Sequence, residues 1–227
     1  MERIVVYCQN FIEKKMKQQI RIAVLGGGGR TGKYLVNNLI DRGFQIKLLL
    51  RKPEEFQITS PLIEIIKGDA TDPEAIRNLV QGCQAVISTV GQRPGEPMVA
   101  SRAVTNVLEA MNEFGLKRFI SLAGLNVDTP SDRKSAETSI ATEWMKTNFP
   151  EIHTDRQKAY AFLAECTLDW TLVRVPFIEF VNATGELAIN QEDCPSNKIN
   201  AGNLAVFLAD QLFDETYIRK SPFVASI

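Results

Sequence analysis

The sequence predicts an α/β fold built on a doubly wound parallel sheet, and three observations carry that prediction. From residue 20 the chain repeats strand, turn and helix, and strands spaced by helices build parallel sheets covered on both faces. The first strand runs directly into four consecutive glycines, Gly26 to Gly29, which open the first helix. A length of 227 residues suits one α/β unit of this kind with a small appendage.

The appendage is residues 1–19. Ile4, Cys8, Phe11, Ile12 and Met16 fit one helical face, with Glu13, Lys14, Lys15 and Lys17 elsewhere. An extra N-terminal helix is expected there, packed on the domain at 20–227, on a second copy in a homodimer or on a protein partner.

The first strand, 20–25, ends at the glycines. The helix at 31–42 places Leu35, Val36, Leu39 and Ile40 on one face, and Gly43 ends it. Strands follow at 44–50 and 62–66. Asp72-Pro73-Glu74 starts a helix, because Asp caps and Pro suits the first turn. A fourth strand is expected at 84–89, a long helix at 97–114 ended by Gly115, and a fifth strand at 117–122. Residues 124–137, rich in Asp, Ser, Thr and Pro, read as a surface loop. Helices at 138–148 and 153–166 precede a sixth strand at 169–175. The remainder is a short C-terminal substrate-side extension, with strands at 186–190, 197–200 and 222–226 around a helix at 201–213.

Composition removes several function classes. Twenty-six Lys and Arg nearly cancel 27 Asp and Glu, so no overall charge argues for nucleic acid. No apolar run approaches the ~18 residues of a membrane span. The single histidine, His153, excludes a multi-histidine metal site, and no metal is expected. Cys8, Cys83, Cys166 and Cys194 include no C-x-x-C pair, so a reduced, cytoplasmic protein is the expectation.

The glycine run is the strongest chemical signal. Gly26, Gly29 and Gly32 form G-x-x-G-x-x-G, which lets the chain turn sharply out of a strand and lets a pyrophosphate touch bare backbone. The helix beginning at Arg30 and Thr31 aims free N–H groups and a positive dipole end at the phosphates. Together these predict dinucleotide binding. Arg51 lies at the end of the second strand, where an NAD site usually carries an acid. With Lys52 it favours NADP(H) over NAD(H), because a guanidinium grips a 2′-phosphate that an acid would repel. Asp69, followed by Ala70, either accepts from the adenine amino group or forms a turn. Thr89, Val90 and Gly91 bring the fourth strand's exit close to the cofactor.

These elements resemble the atypical short-chain dehydrogenase/reductase superfamily, a Rossmann-fold group. The resemblance rests on the glycine spacing, Arg51, Gly68-Asp69-Ala70-Thr71-Asp72, Ala85-Val86-Ile87-Ser88-Thr89, Phe119-Ile120-Ser121 and Leu168-Asp169-Trp170-Thr171-Leu172-Val173-Arg174-x-Pro176. It covers about 20–226 and is nearest to the NAD(P)H-binding branch that is flavin-reductase-like, biliverdin-reductase-B-like and NmrA-like. It implies a sheet-end substrate site and a serine after the fifth strand, matched by Ser121. Classical and extended members carry a Tyr-x-x-x-Lys pair, whose tyrosine many atypical relatives lack; its places here hold Ile152 and Arg156.

The missing tyrosine argues against carbonyl or alcohol redox chemistry, which wants a positioned proton donor, and against epimerase/dehydratase-like chemistry, which begins by oxidising an alcohol. A flavin, quinone or similar planar acceptor is less demanding, since it spreads the incoming charge. The expected activity is therefore NADPH-dependent reduction of a small planar organic acceptor. The alternative is an NmrA-like sensor that binds NADP(H) without turnover. Ser121, His153 and Arg156 are the catalytic candidates. His153 is either a proton donor or a capping or solvated histidine. Arg156 either holds the nicotinamide ribose or pairs with Asp155. Phe177 and Phe180 either stack on the acceptor or join the core.

Overall fold

The computed structural model describes residues 20–92, 95 and 98–227. The expectation for residues 1–19 lies outside the described residues. In chain order the elements are β1 (Arg21–Leu25), α1 (Arg30–Asp41), β2 (Gln45–Leu50), β3 (Ile63–Lys67), α2 (Pro73–Val80), β4 (Ala85–Ser88), α3 (Val99–Phe114), β5 (Arg118–Gly124), α4 (Ala136–Asn148), α5 (Pro150–Glu165), β6 (Asp169–Val175), β7 (Phe177–Glu179), β8 (Leu187–Asn190), β9 (Lys198–Asn200), α6 (Ala201–Asp210) and β10 (Phe223–Ser226).

Eight strands form one sheet in the order β3-β2-β1-β4-β5-β6-β10-β8. Pairing is parallel from β3 through β10, and only the edge strand β8 runs antiparallel, on β10. The chain therefore winds outward from β1 in one direction, returns to β4 and winds outward in the other. That reversal opens a crevice beyond the carboxyl ends of β1 and β4. The doubly wound expectation is correct.

Alternation along the strands divides the core in two. Ala23, Leu25, Val86 and Phe119 face α2, α3 and α5. Ile22, Val24, Ile87 and Ile120 face α1 and α6. Local chemistry sets the helix ends. The Asp72 carboxylate accepts from the Glu74 N–H at 3.0 Å, and Pro73 follows in the first turn of α2. At the other end of α2, the buried Lys47 ammonium reaches from β2 and donates to the carbonyls of Asn78 and Gln81, where a cation complements the helix dipole. Gly43 and Gly115, at φ 84° and 71°, close α1 and α3 in the left-handed region.

Boundaries shift where pairing or proline decides them. β5 runs to Gly124 because it stays in register with β6 as far as Val175. Helix α5 begins at Pro150, which suits a first helical turn, and α6 stops at Asp210 rather than 213. The short pair β7 and β9 includes a strand the sequence did not predict.

The 125–135 segment enters the apolar core through Val127 and is otherwise held by charges. Arg174 on β6 is fully buried. Its Nη1 donates to both oxygens of Asp132 at 2.7 and 2.8 Å and to the Val127 carbonyl at 2.9 Å, and its Nε donates to Ser221 O at 2.8 Å. The Phe223 ring lies 3.6 Å beneath the guanidinium carbon. Lys134 continues the network, donating to Asp128 at 2.6 Å, to Leu125 O at 3.0 Å and to Thr142 Oγ1 at 3.2 Å.

Candidate functional site

The glycine turn lies at the crevice. Gly26 leaves β1 at φ +76°, and a Cβ there would stand 2.6 Å from the Thr89 carbonyl carbon at the exit of β4. A Cβ on Gly32 would stand 2.1 Å from the Gly26 carbonyl oxygen. The turn thus closes on itself with no room for side chains, and the Gly29 N–H donates to Gly26 O at 2.9 Å. Gly28, Gly29 and Arg30 are exposed. No side chain caps α1, and no acid occupies its first turn. Among the described residues the first N–H groups of α1 thus have no side-chain cap and no acid in their own turn, which suits a diphosphate.

Arg51 and Asp69 stand side by side at the ends of β2 and β3, with Nη1 3.5 Å from Oδ2. Asp69 also accepts from the Thr71 N–H at 2.8 Å and the Thr71 hydroxyl at 2.7 Å, so it is a turn-former here. Burial works to raise its carboxyl pKa, but the Thr71 hydrogen bonds and Arg51 outweigh that and hold it below the ordinary value. The aspartate orients the guanidinium at the strand end. Lys52 departs from its expected role. Its ammonium pairs with Glu55 at 2.6 Å, in a 3-10 turn that ends away from the glycines in sequence. Ala70 accepts from the Asn106 side chain at 3.1 Å, which fixes the floor of this region. Thr89 is buried, and its N–H donates to Leu25 O at 3.0 Å, binding the exits of β1 and β4 together. Val90 is half-buried and Gly91 exposed. Arg30 lies over the Phe180 ring at 4.5 Å, and Thr31 is partly buried beside it. Phe180 therefore packs on the start of α1 rather than being left to stack on an acceptor, whereas Phe177 is 72% exposed.

A second cavity, of about 310 Å³, opens beyond β4 and β5. Gln92, Gly124, Asn126 and Arg156 supply its polar and backbone lining, and Met145, Phe149 and Ile152 its apolar wall. Ile152 holds the place where the resemblance puts a tyrosine, so that wall offers no acidic hydroxyl. Gly124 matters because a Cβ there would come within 2.6 Å of Asn126 Oδ1. Its absence lets the buried Asn126 side chain fold over the strand end.

The three catalytic candidates fare differently. Ser121 is buried inside β5, three residues short of the strand's end, and Gly124 occupies the strand-end place instead. That corrects the expectation of a serine after the strand. Arg156 does not pair with Asp155. Its Nη1 donates to Leu122 O at 3.2 Å and its Nη2 to Val90 O, stapling the exits of β5 and β4. Asp155 faces the other way and accepts the Ala100 and Ser101 N–H groups at 2.8 and 3.1 Å, capping α3 from a neighbouring helix.

His153 is neither a cap nor fully solvated. Asn126 Nδ2 donates to its Nδ1 at 3.2 Å. Burial first, then Lys146 and more weakly Lys134, lower its pKa below the ordinary 6.5, against opposing pulls from Asp128 and Glu143. That direction favours the neutral ring, which weakens the proton-donor reading. As the only histidine in the chain, it will give a single imidazole C2–H signal in tag-free protein, titrating below pH 6.5. Because the folded state prefers the neutral ring, its contribution to stability is complete above the unfolded value and is lost as pH falls through the folded one. An NMR titration at or above 6.5 would show that burial and the two lysines do not set it.

Asn126, Met145 and Phe149 were missed in the sequence. Their elements were expected, but no spacing marks a loop asparagine or a helix-end phenylalanine as cavity lining.

The NAD(P)H-binding family profile matches residues 26–215. The chain belongs to the NAD(P)H-binding family. This agrees with the atypical short-chain dehydrogenase/reductase resemblance read from its motifs. The oxidoreductase ylbE of Lactococcus lactis superposes with a TM-score of 0.77 at 22% identity, over 92% of this chain and 91% of that one. A short-chain dehydrogenase/reductase of Veillonella parvula in complex with NADP superposes with a TM-score of 0.74 at 18% identity, over 91% and 94%. Identities this low speak for a shared fold. Among curated proteins, the chloroplastic divinyl chlorophyllide a 8-vinyl-reductase of Arabidopsis thaliana is 23% identical over 91% of this chain and 53% of its own length. The chain spans about half or less of the length of the curated relatives it matches. Among the described residues no helix is long and apolar enough to cross a membrane, and no cluster of metal-ligating side chains is present.

Proposed function

We propose that this protein is an NADPH-dependent reductase that delivers hydride to a small planar acceptor such as a quinone or a flavin ring. The observation that carries the reading is the adjacency of two features at the sheet's carboxyl edge. One is a dinucleotide cradle in which Gly26 and Gly32 leave no room for a Cβ. The other is an apolar-walled cavity with Ile152 where an acid/base tyrosine would stand.

In the cradle, the N–H groups of Gly28 and Arg30 bind the diphosphate, while that of Gly29 holds the turn closed on Gly26 O. Arg51, steadied by Asp69, reads a 2′-phosphate, so NADP(H) is preferred over NAD(H). Bound NADPH supplies a hydride, and the acceptor takes its proton from solvent. The chain's own contribution is to hold the two partners together and keep water from the apolar wall, orientation rather than covalent chemistry. A reduced cytoplasmic setting, and an N-terminal segment that docks on a second copy or another protein, belong to the same proposal.

The test is NADPH oxidation followed at 340 nm with FMN, riboflavin or a small quinone. Turnover well above background is expected in the wild-type protein and is lost in Gly29→Asp, which places a carboxylate where phosphate binds. Tight NADPH binding with no oxidation across a broad acceptor panel would exclude the reductase and leave a non-catalytic NADP(H) sensor.

A further inference from the structure

A guanidinium is a costly group to place beside an apolar wall, and among the described residues no carboxylate forms an ion pair with Arg156. Two of its N–H groups go to the carbonyls of Leu122 and Val90. Carbonyls satisfy donors but carry no net charge. Its sequence neighbour Asp155 has both carboxylate oxygens committed to the Ala100 and Ser101 N–H groups. Among the described residues these carbonyls take its hydrogen bonds, and no ion pair joins it. Burial lowers its pKa, with Asp155 opposing only through space.

Arginine presents five donors in a planar fork, so three remain. Arg156 also lines the cavity, where the facing residues are the amides Gln92 and Asn126 and the apolar Met145, Phe149 and Ile152. A half-buried cation with spare donors, lining a small cavity with an apolar wall, attracts an anion attached to a hydrophobic body. The volume, about 310 Å³, lies at the small end of ligand pockets. It fits one or two fused rings with a carboxylate.

From this geometry we infer that the cavity takes a planar acceptor bearing a carboxylate, with the carboxylate on Arg156 and the ring against Met145, Phe149 and Ile152. The inference rests on the proposed reading of this cavity as the acceptor site. It makes Arg156 a specificity residue in addition to a staple between strand ends.

The experiment is calorimetric titration of the full chain, with saturating NADP⁺, using 2-naphthoate and its uncharged analogue 2-naphthamide. The oxidised cofactor permits no turnover, so the result stands apart from whether the protein is a reductase. The acid is expected to bind about tenfold or more tightly than the amide, as one charge-assisted contact in a desolvated site implies. Removing Arg156 risks loosening the strand exits, so the decisive variant keeps it. Ile152→Glu sets a carboxylate one helical turn before Arg156, where the two pair, and the preference for the acid should vanish. Ile152→Gln, equal in size and neutral, should keep it. Equal affinities in the wild-type protein, no binding of either probe, or a preference that survives Ile152→Glu would each overturn the inference. A strong preference for the acid in a protein that oxidises no NADPH would sink the reductase reading and leave this site intact.

Discussion

A Gly32→Ala variant will bind NADPH about tenfold or more weakly than the wild-type protein. Its new Cβ would lie 2.1 Å from the Gly26 carbonyl oxygen, a backbone atom that no side-chain rotation can move aside. Either the first turn of α1 or the Gly26 corner must shift. Gly26 is itself fixed, with its own Cβ direction closed by the Thr89 backbone at 2.6 Å. The helix start therefore moves, and its N–H groups lose their aim at the diphosphate. One lost charge-assisted hydrogen bond is worth about 1.5–3 kcal/mol, and 1.4 kcal/mol is tenfold in affinity. Overpacking adds a loss of stability of about 1–3 kcal/mol. Titration of NADPH fluorescence at a temperature where the variant remains folded checks this. Unchanged affinity would mean that the turn has slack the geometry does not show.

An Arg174→Met substitution will cost about 3–5 kcal/mol of stability, the range for removing one partner of a buried ion pair. Arg174 is fully buried, and Asp132 is nearly so. Methionine fills much of the space but leaves the Asp132 carboxylate with the more distant Lys134 at 3.6 Å as its remaining ion partner. The carbonyls of Val127 and Ser221 also lose a donor. Urea unfolding of the variant will show the drop, and Arg174→Met with Asp132→Asn will recover part of it, because the second change removes the stranded charge. Since Val127 adjoins Asn126, acceptor binding should weaken in the single variant even where the fold survives. A loss under about 1 kcal/mol would show that the network is not what holds the loop.

How far the sequence reveals all this depends on the kind of interaction. Hydrophobic period, Pro and Gly are local signals, and they placed every strand of the β1 to β6 series within about two residues. The Asp72 cap and the Gly43 and Gly115 helix ends were readable for the same reason. The glycine cradle was legible because its steric demand admits one residue type. The cavity was not, because its lining is set by side-chain direction at element ends. Ser121 illustrates this. Its place near the fifth strand's end looked right, yet pairing with β6 carries that strand on to Gly124 and leaves the serine inside the sheet. Asp155 and Arg156 are adjacent and opposite in charge, which suggests a pair. On a helix, adjacent residues point about 100° apart, and here each finds backbone partners on a different element. Arg174 ties the sixth strand to the loop. The bond from its Nη1 to both oxygens of Asp132 joins residues 42 apart, which no local pattern reports.

The central claim is that the crevice at β1 and β4 binds NADP(H), with Arg51 reading the 2′-phosphate. The most direct test is a parallel titration of NADPH and NADH into the wild-type protein and Arg51→Asp. The wild-type protein should prefer NADPH. The variant should lose about tenfold or more of its NADPH affinity, since a charge-assisted contact becomes a repulsion, while its NADH affinity changes little. Equal losses for both dinucleotides, or no preference in the wild-type protein, would contradict the account.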